Sequence, residues 1–468
     1  MILKINNDYS YLETTDVKTK QFLWDKLRFR EKNYFHNSRY KRHLWDGYTD
    51  FFNRETGKFL TGLLPEVKAA LKVQNVAPEI NDLRQKTEFN IDVVDEKFLA
   101  GVVLHDYQVD YINQAIKKQR GIIFSPTSSG KTLMMVGILK AIKEGTPTLI
   151  LQNRKPLAEQ NYEELCKWGF KNVGKLWGGT GNQKPNLITV ATVQSIHKIA
   201  KILPKVKCVI VDEIHDMMSK VPKAVYRRLT GCTTRIALSA TPFKFGETDD
   251  VQKFYVKGFF GAVLKTKTTE SGRLTTKELQ DRKILAKSKC IFYPVNEPKL
   301  PYDVYIDAVT NGIANNHHFH EMVTRLAKKQ KGRTLILVDR IAHGDALFLM
   351  IPNSLWVQGK DTSETRQEAV KQLQTSKKDV VILATQQIFN TGINVFVHNL
   401  INAASGQAEH QIIQRMGRGL RTTKDKLELN YYDFVFNIND YLLEHSKKRI
   451  KILKKEGHEV EIREQLDF

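Results

Sequence analysis

The segment GIIFSPTSSGKTLMMVGIL places Gly130, Lys131 and Thr132 at the turn between a short apolar strand and a helix. Backbone amides of such a loop, those of Ser128 and Ser129 included, point with the helix N-terminus at phosphate oxygens. Lys131 then neutralises the β and γ phosphates of a nucleoside triphosphate, and the Thr132 hydroxyl ligates Mg²⁺. Ser125 stands where the general pattern has its first glycine, and a residue this small still lets the backbone turn. About 80 residues on, the apolar run CVIV ends in Asp212, Glu213, Ile214 and His215. Carboxylates at the carboxyl end of a parallel strand lie where α/β sheets bind ligands. Asp212 suits Mg²⁺ through its water shell, Glu213 is left to orient and polarise an attacking water, and His215 can report on the next strand. Alone, DEIH reads as a solvated acidic turn with a stray histidine; the Lys131 loop upstream gives it meaning. Further on, QIIQRMGRGLRT spaces Gln414, Arg418 and Arg421 by four and three residues, which puts all three on one helical face. Two guanidiniums on one face suit charge developing on a γ-phosphate, although an ordinary solvated basic helix has the same pattern.

These groups need rigid elements to hold them. From about residue 120 to 240, the runs GIIF, TLILQN, LITVAT, CVIVDE and RIALSAT alternate with amphipathic stretches. The same grammar returns in TLILVD, LWVQG, VVILAT, NLINAA and YYDFV, between about 333 and 435. Continuous apolar runs of this length fit strands buried on both faces of a parallel sheet, so two α/β domains in tandem with crossover helices are expected. Residues 1–95, with short aromatic strands and a helix near PEVKAALKV, read as a small α+β domain placed before them. The expected divisions are 1–95, 96–245, a polar connection over 246–299 centred on KTKTTESGRLTTKELQDRK, 300–437, and a basic tail over 438–468.

A formal net charge of +22 calls for a polyanionic partner, with nucleic acid the leading candidate. The four cysteines, Cys166, Cys208, Cys232 and Cys290, show no paired spacing, which argues against a zinc site or a disulfide framework. No run is long and apolar enough to cross a bilayer, and the opening MILKINNDYSYLETTDVK lacks a targeting pattern, so a cytoplasmic protein without membrane partners is expected.

In their order along the chain, SPTSSGKT, DEIH, SAT and QRMGRGLR resemble the motif series of superfamily-two helicases over residues 101–437. The resemblance implies two RecA-like domains that hydrolyse ATP, with Mg²⁺, in the cleft between them. Tyr107 and Gln108 in LHDYQVDYINQAI correspond to the adenine-side element, Gln108 offering paired amide hydrogen bonds. Ser239 and Thr241 in IALSATPF match the motif that couples hydrolysis to domain movement, and Arg418 and Arg421 become arginine fingers. VVILATQQIFNTGINV matches the motif in which Thr385, Thr391, Gly392 and Asn394 line the ATP and nucleic-acid cleft. Nucleic-acid backbone contacts are implied at Asn153 and Arg154, Thr192 and Gln194, and Arg340 and His343. The first of these loops departs from the family's usual proline-threonine form.

Between Lys26 and Arg42, basic residues interleave with Phe29, Tyr34, Phe35 and Tyr40. This mixture suits phosphate contact beside base stacking, Arg39, Lys41 and Arg42 leading, and equally a strand pair with an aromatic core and solvated charge. The Trp45–Gly47 turn, the Gly-Leu-Leu-Pro segment and the following helix resemble the N-terminal domain of UvsW-type phage branch-migration helicases. That resemblance implies forked or recombination-junction DNA as partner, in the cytoplasm of an infected bacterial host. A DExH-type RNA helicase, or a nucleotide-gated duplex clamp that separates no strands, are the alternatives. The tail SKKRIKILKKEGHEVEIREQLDF begins as a basic helix, either a duplex contact or a solvated face.

Overall fold

The computed structural model describes residues 1–179, 183–243, 250–301, 304–376, 378–385, 397–406, 412–413, 416–417, 420 and 428–465. The chain divides into two compact units, one formed by Met1–Ser125 with Gly130–Leu274, the other by Pro126–Ser129 with Thr275–Phe468. It is an α/β protein with two parallel sheets, of six and seven strands, after a small mixed-sheet domain.

The N-terminal domain begins with β1 (Ile2–Ile5) and β2 (Tyr9–Glu13), whose alternating burial turns Leu3, Ile5 and Leu12 to one face. The helix α1 (Val17–Lys26) starts on Asp16, whose carboxylate accepts from the Lys18 and Thr19 amides at 3.0 and 3.3 Å. After β3 (Arg28–Arg30) the chain makes an excursion over residues 31–47 that carries the short α2 (Ser38–Lys41) and returns in β4 (Tyr48–Asp50), antiparallel to β3. β5 (Lys58–Leu60), α3 (Leu64–Val73) and β6 (Glu79–Asp82) complete the domain, with sheet order β5-β2-β1-β6. Past β6 the chain first stays with this domain, the Leu83 amide donating to the Ile5 carbonyl at 2.9 Å, and then bonds to the next. The Thr87 amide donates to the Gln119 side chain at 2.8 Å, and the Asn90 amide to the Ala141 carbonyl at 2.9 Å.

The first α/β domain runs α4 (Asp106–Lys118), β7 (Arg120–Phe124), α5 (Lys131–Ala141), β8 (Thr148–Gln152), α6 (Lys155–Lys167), β9 (Val173–Leu176), β10 (Ile188–Thr192), β11 (Cys208–Asp212), α7 (Lys220–Arg228), β12 (Thr234–Ser239) and α8 (Asp250–Phe260). Its sheet is parallel throughout, in the order β7-β12-β11-β8-β10-β9. The register brings Ser239 beside Phe124, Leu238 beside Asp212 and Thr192 beside Gln152, so the carboxyl ends of the strands form one edge.

The helix α8 lies in the stretch expected to be a polar connection, yet it is apolar on two faces. Val251, Phe254 and Tyr255, at i, i+3 and i+4, pack into the N-terminal core beside Phe51, Leu63 and Val67. Val256, Phe259 and Phe260, at the same spacing, enter the core of the first α/β domain. The approach to the N-terminal domain is close: a Cβ on Gly62 would stand 2.1 Å from the Lys257 carbonyl oxygen. Lys257 and Glu66 form a half-buried ion pair at 2.6 Å across the same junction.

The second unit contains α9 (Thr276–Asp281), β13 (Lys287–Val295), α10 (Tyr305–Val309), α11 (His317–Lys329), β14 (Arg333–Val338), α12 (Ile341–Met350), β15 (Leu355–Val357), α13 (Ser363–Thr375), β16 (Val380–Thr385), β17 (Asn399–Ala403), β18 (Glu428–Phe436), α14 (Asp440–Lys455) and β19 (Glu459–Ile462). Its strands are parallel in the order β15-β16-β14-β17-β18-β13-β19. Two expected boundaries shift here. β13 falls inside the expected connection but pairs with β18 along nine residues, because CIFYPV is an apolar run long enough to fill a central strand. The expected tail supplies α14 and β19. Leu442, Ser446, Arg449 and Leu453 turn one face of α14 inward while its lysines take the other, so the helix is amphipathic and its Arg449 is fully buried. Among the described residues no helix is long and apolar enough to cross a membrane.

Candidate active site

β7 delivers the chain to the phosphate loop at the carboxyl edge of the first sheet. Ser125 is fully buried and its amide donates to the Ser239 carbonyl at 3.2 Å, so the position is held inside the sheet edge, where a small side chain fits. Ser129 closes the loop by donating its hydroxyl to the Pro126 carbonyl at 2.7 Å. Gly130 enters α5 at φ +82°, and a Cβ there would stand 2.2 Å from Nε2 of Gln108. Glycine is therefore needed at this point, and the contact places Gln108 against the loop. Gln108 is buried at the start of α4, its Oε1 accepting the His105 amide at 3.0 Å, while Tyr107 is buried and stacked on His105. Lys131 Nζ donates to the Ser125 carbonyl at 3.3 Å, and Thr132 is half-buried in the first turn of α5. Lys131→Ala is expected to lower ATP turnover at least about 10²-fold, by loss of a positioned donor to the transferring phosphate. DNA binding, read by anisotropy without nucleotide, should stay at the wild-type level.

β11 ends in Asp212, whose Oδ2 accepts from Gln152 at 3.3 Å and whose Oδ1 accepts the Glu213 amide at 3.0 Å. Burial and the Glu213 charge push the Asp212 carboxyl up to about 6, against the Lys131 ammonium, which lowers it. Glu213 leaves the strand at φ +53°. Burial opposes its ionisation, but hydrogen bonding and charge from His215, with Lys131 and Ser239, prevail and hold it below the usual carboxylate range. His215 Nδ1 lies 3.0 Å from Ser239 Oγ and 3.3 Å from Glu213 Oε2. Ser239 Oγ also accepts the Thr241 amide at 3.0 Å. Burial disfavours the imidazolium, yet Glu213 and Asp216 hold the His215 pKa above its ordinary value. Glu213, His215, Ser239 and Thr241 thus form one hydrogen-bonded group.

Three residues outside the sequence expectations join this group. Gln152 steadies Asp212, and the only signal for it was its place at the end of the strand run TLILQ. Asp216 lies 3.7 Å from His215 Nε2 and 3.9 Å from the exposed Arg154, so it stands between His215 and an expected nucleic-acid contact. Gln252 of α8 donates to the His215 carbonyl at 3.2 Å.

At the ends of β8 and β10, Gln194 is exposed and donates to the Asn153 carbonyl at 3.2 Å, so these two expected contacts are brought together. Thr192 is buried and its hydroxyl donates to Ser195 at 3.2 Å; it shapes the turn and offers no hydroxyl to solvent. In the second unit Arg340 is exposed at the start of α12, and Thr385 is buried at the end of the neighbouring β16. The expectation for His343 is overturned. It is 1% exposed and stacked on His320 at 4.9 Å, and burial together with His320 drives its pKa down to about 3, so it is a neutral core ring. Arg39, Lys41 and Arg42 are exposed on the 31–47 excursion. Gln414, Arg418, Arg421, Thr391, Gly392 and Asn394 lie outside the described residues.

Among the described residues no group of three or more His, Cys, Asp or Glu side chains could hold a metal by itself. The adjacent, mutually repelling carboxylates of Asp212 and Glu213 beside the Thr132 turn nevertheless fit Mg²⁺ held mainly by phosphates and water.

A phosphate loop feeding a helix, an acidic strand end beside it and a second parallel-sheet unit are the parts that a nucleotide-driven motor needs. The family model "Type III restriction enzyme, res subunit" matches residues 101–244, and "Helicase conserved C-terminal domain" matches residues 316–423. The chain is 24% identical over 497 residues to the ATP-dependent DNA helicase uvsW of Enterobacteria phage T4, covering 96% of this chain and 97% of that one. It is 25% identical over 392 residues to the DNA 3'-5' translocase XPB2 of Sulfurisphaera tokodaii, covering 74% and 85%. Among solved structures, the fragment of a putative HsdR subunit of a type I restriction enzyme from Vibrio vulnificus superposes with a TM-score of 0.57 at 18% identity, over 80% of this chain and 71% of that one; it shares the fold. The chain belongs to superfamily two of the helicases and is an ATP-dependent DNA helicase or translocase.

Proposed function

We propose that this helicase unwinds or branch-migrates forked and recombination-junction DNA, with the N-terminal domain as the surface that engages the junction. Lys131 and the loop amides hold the triphosphate, Gln108 selects adenine, and Glu213 orients the attacking water. Thr132 and Asp212 would hold Mg²⁺, which when bound neutralises phosphate charge. Asn153, Arg154 and Gln194 of the first unit, and Arg340 of the second, would each meet the DNA backbone and give grip without sequence choice. The observation that carries the junction reading is the excursion over residues 31–47. It exposes Arg39, Lys41 and Arg42 beside Phe35 and Leu44, which are 50% and 66% exposed, on a domain fixed to the ATP-binding unit by α8. Cations flanking exposed apolar groups suit a surface that grips duplex phosphates and blocks restacking at the fork.

Substituting Arg39, Lys41 and Arg42 together by alanine tests this. The log–log salt slope of fork binding should shrink by about 2–3, at about 0.9 per lost phosphate contact. Unwinding of forked and four-way DNA should fall with it, while ATPase stimulation by single-stranded DNA persists. Exposed charges contribute little to stability, so the melting temperature should hold. Wild-type unwinding by the triple variant would remove the junction role from this surface. ATP-dependent duplex binding without strand displacement by the unsubstituted chain would make the protein a clamp.

A further inference from the structure

A cavity of about 410 Å³ opens where the N-terminal domain meets α7 and α8. Its floor is apolar, made by the buried rings of Phe51, Phe52 and Phe59, and Trp24, Tyr9 and Tyr255 form half-exposed walls. Cations stand over these rings. The Arg54 guanidinium is 5.1 Å from the Trp24 ring centre, and the Lys58 ammonium is 3.9 Å from that of Tyr9. Arg227, exposed on α7, adds a third positive group to the rim. Two carboxylates also line the cavity. Asp50 lies 3.3 Å from Arg28, which also pairs with Asp46, so the lining sets three cations, Arg54, Lys58 and Arg227, against the two carboxylates and is net positive.

Such a site has the chemistry of single-stranded nucleic-acid recognition. Aromatic faces accept any base, and cations above them meet the phosphate. The volume lies at the small end of ligand cavities, room for one unstacked nucleotide and too little for a base pair. None of the ATP motifs lines it. Its position continues the proposed junction surface: the 31–47 excursion runs into β4, and Asp50 at the end of β4 begins the cavity wall.

We propose that this cavity holds one unpaired nucleotide of the strand displaced at the fork, an assignment that rests on the junction reading above. The backbone phosphate draws the Arg54 and Lys58 heads off the rings and binds between them and Arg227. The base then lies against the freed faces of Trp24 and Tyr9.

Photocrosslinking of the full chain to forked, single-stranded and blunt duplex DNA carrying 5-iododeoxyuridine, with peptide mapping, tests it. Crosslinks are expected in peptides containing Tyr9, Trp24 or Tyr255 with forked and single-stranded DNA, and not with blunt duplex. Replacing Arg54, Lys58 and Arg227 together by alanine should remove those crosslinks and weaken single-strand binding about tenfold. The single-strand salt slope should shrink by about 1–2, at about 0.7 per phosphate contact. An unchanged melting temperature would show that the variant folds. Crosslinks confined to other peptides, equal crosslinking by blunt duplex, or wild-type single-strand affinity in the variant would each overturn the assignment while leaving the junction reading intact. A chain that crosslinks to no DNA, and whose ATPase no DNA stimulates, would overturn both.

Discussion

Glu213→Gln is expected to reduce ATP turnover by about 10²–10⁴-fold, the range associated with loss of a positioned general base, while nucleotide binding stays close to wild type. The carboxylate leaves its strand through a left-handed turn at φ +53°, and His215 and Ser239 hold it at 3.3 and 3.4 Å. Its ionised form is favoured by these contacts, so at neutral pH it stands ready to take up a proton from water. Glutamine keeps the size and the hydrogen-bonding reach but cannot accept that proton. Single-turnover hydrolysis together with fluorescent-nucleotide binding separates the two effects. Wild-type turnover in the variant would move the hydrolytic role elsewhere.

Arg449→Ala is expected to destabilise the second unit by about 3–5 kcal/mol, the cost of leaving a buried charge without its partner. Arg449 and Asp433 are both inaccessible to solvent, joined by Arg449 Nη2 to Asp433 Oδ1 at 2.9 Å and Nε to Oδ2 at 3.0 Å. Asp433 Oδ2 also accepts from Asn402 at 2.8 Å and from the Tyr431 hydroxyl at 2.7 Å, so the anion is fixed in place and cannot follow its partner's loss. Burial alone would disfavour the guanidinium, but the charge and hydrogen bonds of Asp433 prevail and hold the Arg449 pKa above its ordinary value. Lysine cannot reproduce a forked donor set, so Arg449→Lys should recover only part of the loss. Denaturant unfolding followed by a probe in the second unit measures this. Lys451→Ala, on an exposed position of the same helix, should change little. Equal stability of Arg449→Ala and the parent chain would contradict the buried pair.

Residues close in sequence were the ones most readable without coordinates. The runs ending at Phe124, Asp212 and Ser239 are strands buried on both faces, and a local hydrophobic pattern carries that information directly. The Lys131 loop and the Asp212 turn follow because strand ends dictate where side chains converge. What escaped was set by distant partners. The two apolar faces of α8 find their counterparts in Phe51 and Val67 on one side and in the core around Tyr226 on the other, far away along the chain. The lysines of α14 dominate its composition while the inward register of Arg449 decides its role. His343 follows an exposed arginine in a loop-like string, but its position on α12 turns it to the core beside Phe319.

The helix α8 joins two functions in one solid piece. One face is sunk into the N-terminal domain, the other into the sheet that holds the phosphate loop, and Gln252 between them holds the carbonyl of His215. The 31–47 excursion thus stands, like a ploughshare on its frame, on a domain packed against the sheet whose strands end in Asp212 and Ser239. On the junction reading proposed above, strand opening at that edge would follow the step of the ATP-binding sheet along the DNA, and the base pairs opened per ATP should match the base pairs that step spans.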